Sequence, residues 1–254
     1  MHRSFRNLPF LSLMISLFLL SSVAMAQEAK PHWSYKGAGE PSKWGNLDPA
    51  YAVCSTGHTQ SPIDIKGAMA TDLPALKMDY QAVPLNIIDN GHTIQVNYPA
   101  GSTLTVGDHV YALKQFHFHH PSEEHVNGKK YDLVAHLVHA DSDGHLAVVA
   151  ILFKAGAANS LLDTVWKNIP AEKEKAMDVA GTTVNVKDLL PSNLSYYTYA
   201  GSLTTPPCSE GVTWFVLKTN DTLSTEEVAA FAKHYPMNAR PIQPSNGREI
   251  KESK

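Results

Sequence analysis

Over much of the middle of the chain, polar and apolar positions alternate in short runs. Between about residue 62 and residue 153, IIDNGHTIQVNY, STLTVG, YALKQFHFHH, DLVAHLVHA and LAVVAILFK read as strands, most of them bounded by Gly, Pro, Asn or Asp. Two later stretches carry a helical period instead. SLLDTVW sets Leu161, Leu162, Val165 and Trp166 on one side, and STEEVAAFAKHY opens with Ser224 and Glu227 as a capping box ahead of Val228 and Phe231. No internal repeat, low-complexity tract or linker interrupts the pattern. It predicts one mostly-β domain with a few surface helices.

The first 26 residues follow a different pattern. His2, Arg3 and Arg6 make a basic start, Leu8 to Val23 is apolar, and Ala24-Met25-Ala26 supplies a small-x-small cleavage signal. The alternative is an uncleaved membrane anchor, but the apolar run is short for a span and ends at the cleavage pattern. The expected organisation is a signal peptide over 1–26 and one domain over 27–254, exported to a periplasm or the cell exterior, with no membrane span after cleavage. Losing Arg3 and Arg6 moves the formal charge from -3 to -5. Neither value, with no Lys/Arg cluster, suits a nucleic-acid partner.

Export changes how the two cysteines read. An oxidising compartment favours one disulfide between Cys54 and Cys208 over two buried thiols. A two-cysteine zinc site is disfavoured, because neither has a ligand-spaced histidine beside it.

The stretch QFHFHHPSEEH, 115–125, holds four histidines and two glutamates. Alternate side chains of a strand point to opposite faces, so Gln115, His117 and His119 share one face and Phe116 and Phe118 the other. His120 points away, and His125, after Pro121, belongs to a turn. In AHLVH the same rule puts His136 with Val134 and Val138, and His139 opposite with Leu137. Only one of those two can join the first pair. Three neutral imidazoles on a sheet describe a catalytic zinc site with its fourth position open; the alternative is a set of satisfied core and surface histidines.

QFHFHHPSE, AHLVH and SLTTPPCSEGVTW, together with HWSY, QSPIDI at 60–65, NGH at 90–92 and RPIQPSNGREI at 240–250, resemble an α-class carbonic anhydrase of the bacterial exported type. The similarity runs from about Trp33 to the end. It implies a large twisted, mainly antiparallel central sheet and the zinc-dependent, reversible hydration of carbon dioxide to bicarbonate and a proton through zinc-bound hydroxide. Side esterase activity is implied too, and a homodimer stays open. By the family pattern His117, His119 and His136 ligate zinc, which selects His136 over His139. Thr204, donating to Glu123, aims the hydroxide, and Thr205 lies near the bound anion. His92 is the proton shuttle, with Tyr35, Asn90 and Gln95 ordering water between it and the metal. Val138, Val148, Leu203, Val212 and Trp214 form the apolar wall that receives carbon dioxide. Cys54 and Cys208 match the disulfide of exported members, pinning the loop that carries Thr204.

Two positions depart from that pattern. Val134 stands where most members place a glutamate that orients the third ligand. Either water or another group replaces it, or zinc is held less tightly, in which case Val134→Glu slows zinc loss. Glu124 stands where many members carry a histidine, which leaves Glu124 as an alternative to Glu123 for the carboxylate partner of Thr204. Two other functions compete: a carbonic-anhydrase-like binding or zinc-storage module, and a purely structural zinc protein. All three ligand histidines with Thr204 and His92 argue against the first, and only three protein ligands argue against the second.

Overall fold

The computed structural model describes Met1 and residues 32–254, so the signal peptide expected over 1–26 lies, apart from Met1, outside the described residues. Among the described residues, 13 strands join one sheet. Its central path runs from Val83–Asp89 through Ile94–Asn97, His109–His119, Leu133–Ala140 and Leu146–Ala155 to Glu210–Leu217 and Tyr196–Ser202. Most neighbours are antiparallel; Leu146–Ala155 and Glu210–Leu217 run parallel. Among the described residues no helix is long and apolar enough to cross a membrane.

Burial on both faces explains the central strands. Leu133–Ala140 and Leu146–Ala155 are almost continuously apolar and almost continuously buried, as a strand covered on both sides must be. Val83–Asp89, nearer the edge, buries every second residue. One face packs Phe116, Phe118, Leu137, Val149 and Phe153 against the two helices. The helices are Ser160–Lys167, capped by Asn159, and Thr225–His234, with the capping box of Ser224 and Glu227 in place. Trp166 and Phe231 meet Phe118 edge-on, so the helix pair braces the strand of the HxH motif from behind.

The strand-rich region is longer than alternation indicates. Met177–Val184, Tyr196–Ser202, Glu210–Leu217 and Lys251–Ser253 also join the sheet. Several of these carry Gly, Thr and Tyr in weakly alternating order, and their pairing is fixed by long-range neighbours. His125, expected in a turn, lies instead in the two-residue strand His125–Val126, paired in parallel with Asp64–Ile65.

Candidate metal centre

Strand register places the three histidines. In the antiparallel pairing of His109–His119 with Leu133–Ala140, His117 lies directly opposite His136 and His119 opposite Val134. Directly opposite residues of an antiparallel pair share a face with Cβ atoms ~5 Å apart, so His136 is delivered to the first two. One ring nitrogen from each of His117, His119 and His136 lies within 4.8 Å of the others. His139, on the opposite face, is buried with Nε2 2.8 Å from the Tyr80 hydroxyl. His120 turns away, its Nδ1 2.7 Å from the Asp132 carbonyl.

The far nitrogen of each clustered ring has its own partner. His117 Nδ1 lies 2.8 Å from Gln115 Oε1, His119 Nδ1 2.7 Å from the Asn238 carbonyl, and His136 Nε2 3.1 Å from Glu124 Oε1. A carbonyl can only accept, so His119 carries its proton on Nδ1 and presents a bare Nε2 to the cluster. That Nε2 is buried with no hydrogen-bond partner, a condition that costs ~1–3 kcal/mol unless something binds there. Burial, reinforced by the neighbouring imidazoles, holds His119 well below the usual histidine range and His117 down to about 3. Nitrogens converging from three rings, with His117 and His119 held neutral, are the donor set of a divalent metal, and they fit zinc. For His136 burial acts the same way, but the Glu124 and Glu123 carboxylates beside it outweigh burial and raise its pKa.

Glu123 and Glu124 reach opposite edges of one imidazole. Glu123 Oε2 lies 3.9 Å from His136 Nδ1 and 3.4 Å from His119 Nε2, while Glu124 faces His136 Nε2. Glu123 Oε1 accepts the backbone N–H of Arg240 at 2.7 Å. Burial pushes Glu123 up to about 7, with Glu124 adding to the rise and His136, Arg240 and Thr204 opposing it. The Thr204 hydroxyl thus lies near Glu123, yet Oε2 is buried without a hydrogen-bond partner.

A cavity of about 130 Å³ joins the cluster to His92. His117, His119, Thr205, Tyr35, Asn90, Gln95 and His92 all line it. Asn90 and Gln95 spend their side chains on protein: Asn90 Oδ1 accepts from the N–H groups of His92 and Thr93, and its Nδ2 donates to Gln95 Oε1 at 3.4 Å. The His92 ring stacks on Trp33 with centroids 3.6 Å apart, and His32 stacks 5.2 Å away. Burial in that stack, with His32 and Lys173 nearby, lowers His92 to about 4. A larger cavity of about 690 Å³ is lined by Glu123, His125 and Arg240 but by none of the three imidazoles.

Val138, Val148, Leu203, Val212 and Trp214 lie in one apolar cluster with Val134. They do not line the small cavity; Trp214 meets His136 edge-on at 4.9 Å. The Cys54–Cys208 disulfide is present and spans 154 residues of sequence. Leu203 N–H donates to the Ser209 carbonyl and Cys208 N–H to that of Thr205, so the Thr204 loop is pinned at its base.

Sequence patterning did not single out Gln115, Asn238 or Arg240. Gln115 was legible, since it shares the ligand face two residues before His117. Asn238 and Arg240 sit far from the histidines in sequence and act partly through their backbones. Arg240 also donates to Gln60, Ser61 and Cys54, tying the disulfide to Glu123.

Residues 39–254 match the family described as eukaryotic-type carbonic anhydrase. A carbonic anhydrase of Pectobacterium atrosepticum is 44% identical over 237 residues, covering 93% of this chain and 97% of that protein. A hyperthermostable carbonic anhydrase from a hydrothermal vent chimney superposes with TM-score 0.85 at 45% identity, over 88% of this chain and 100% of that one. The α-carbonic anhydrase of Thermovibrio ammonificans, solved with the inhibitor sulfanilamide, gives TM-score 0.84 at 41% identity, over 89% of this chain and 100% of its own. A chain that carries this fold, matches the family over most of its length and gathers three imidazoles on one sheet face belongs to the α-carbonic anhydrase family.

Proposed function

We propose that the protein is a zinc-dependent carbonic anhydrase that interconverts carbon dioxide and bicarbonate, with His117, His119 and His136 holding the metal. The observation that carries this reading is the convergence of three ring nitrogens within 4.8 Å, one of them buried and unpartnered. Zinc bound there supplies Lewis acidity and brings the ionisation of water to pH ~7.

The protein's own groups do the rest. Glu123 Oε1 is committed to the Arg240 N–H, which leaves Oε2 as the acceptor for the Thr204 proton. A Thr204 hydroxyl that donates there has only lone pairs left, so it accepts from the nucleophile and fixes its direction. Carbon dioxide, small and apolar, is received by Val138, Val148, Leu203, Val212 and Trp214, with Thr205 beside the bicarbonate product. His92 carries the proton outward along the cavity it shares with Tyr35, Asn90 and Gln95. At neutral pH it does so only after leaving the Trp33 stack, where burial makes it too weak a base. The same nucleophile hydrolyses activated esters as a side reaction. The disulfide supports an exported protein, with residues 1–26 removed and the mature chain in a periplasm or outside the cell.

The test is zinc content and carbon dioxide hydration of the single variants His117→Ala, His119→Ala and His136→Ala. Each is expected to lose stoichiometric zinc and nearly all hydration while folding. Full hydration in any of them would refute the ligand set.

A further inference from the structure

We infer that Glu124 is the positioning carboxylate of the third metal ligand, taking the place that Val134 leaves vacant on the ligand's own strand. The inference rests on the zinc reading above and concerns how His136 is held.

A carboxylate that orients a ligand imidazole must reach the ring nitrogen facing away from the metal. Glu124 does this with both oxygens, 3.1 and 3.2 Å from His136 Nε2. Both side chains are buried, Glu124 at 0% and His136 at 1% exposure. The pairing leaves His136 Nδ1 as the nitrogen turned toward His117 and His119. The carboxylate comes from a loop rather than from a strand. Ser122 Oγ donates to the Glu124 carbonyl and accepts from Tyr131 N–H, and His125 N–H donates to the Ile63 carbonyl. The backbone on either side of Glu124 is therefore tied down.

Val134 lies two residues before His136, on the same face, fully buried beside Ile63, Ile65 and Leu152. A carboxylate there would approach the ring position that Glu124 already serves. The apolar residue at 134 and the acidic residue at 124 are thus two halves of one arrangement. On this reading Val134→Glu alone would not slow zinc loss: it would set a second buried carboxylate against Glu124, and like charges at one dry site disfavour each other.

The test is the rate at which the zinc-loaded protein surrenders zinc to a chelator, with thermal melts as the control for folding. Glu124→Ala and the isosteric Glu124→Gln are expected to release zinc about 10–100-fold faster than the parent, the glutamine variant less so. Glu124→Ala with Val134→Glu is expected to recover slow release, a rescue that a merely structural role for Glu124 would not produce. Val134→Glu alone should not slow release. Parent-like release from folded Glu124→Gln would overturn the inference and leave the zinc reading standing. A parent that holds no zinc would overturn the zinc reading itself.

Discussion

Two adjacent carboxylates, one residue apart in sequence and both buried, are divided between two tasks by what faces each of them. Glu123 meets the Arg240 N–H, the Thr204 side and the inner nitrogens of His119 and His136; Glu124 turns both oxygens to the outer nitrogen of His136. Glu123→Gln should therefore cut carbon dioxide hydration by at least about 10²-fold with zinc retained, the scale of losing one fixed polar contact to the reacting atoms. Glu124→Gln should act chiefly on zinc retention. Stopped-flow rates on fully zinc-loaded variants separate the two, and a larger loss from Glu124→Gln would exchange the roles. His92 gives a second prediction at this scale. Burial against Trp33 holds it down to about 4, so Trp33→Ala should let its pKa climb toward the ordinary 6.5. Histidine titration by NMR reads this directly, and an unmoved value would show that the stack is not the cause.

Within one strand, parity decided which histidines could cooperate. Leu133–Ala140 carries His136 on the ligand face and His139 on the helix-covered face, and the strand period of two makes that division legible in AHLVH without any structure. Parity alone could not choose between them, because the choice depends on the register with His109–His119; the family motif, not the alternation, pointed to His136. His139 has a consequence of its own. It is neutral and buried, donating Nδ1–H to the Ala147 carbonyl and accepting from Tyr80, and burial lowers it from 6.5 to about 4. Since the unfolded chain takes up a proton near 6.5 and the folded one only near 4, stability is intact above that window and falls as pH drops through it. The loss from this one group is up to about 3 kcal/mol. Urea melts of the parent and His139→Gln between pH 7 and pH 4 should show a shallower acid decline in the variant. Equal slopes would mean that His139 does not titrate across folding.

For the whole molecule, the sequence pattern indicated a mostly-β domain, and the HxH pair was readable from alternation alone. What it left open were contacts made by chain return. Val134 stands where the family pattern places the partner of His136, and the sequence left open which group replaces it; the carboxylate that reaches His136 Nε2 comes from the loop twelve residues earlier. Asn238 and Arg240 reach the site from more than a hundred residues away, through backbone groups that carry no side-chain signal. Strands such as Met177–Val184 and Lys251–Ser253 are held by their neighbours more than by their own pattern. On the proposed function, these distant pieces converge on a zinc-dependent hydration site. Stopped-flow carbon dioxide hydration on the purified chain from Gln27 onward, as isolated, after chelation and after zinc is returned, tests this most directly. Rapid hydration that disappears with the metal and comes back with it is the predicted result. A folded, zinc-loaded sample that does not hydrate carbon dioxide would contradict it, leaving a carbonic-anhydrase fold used for binding.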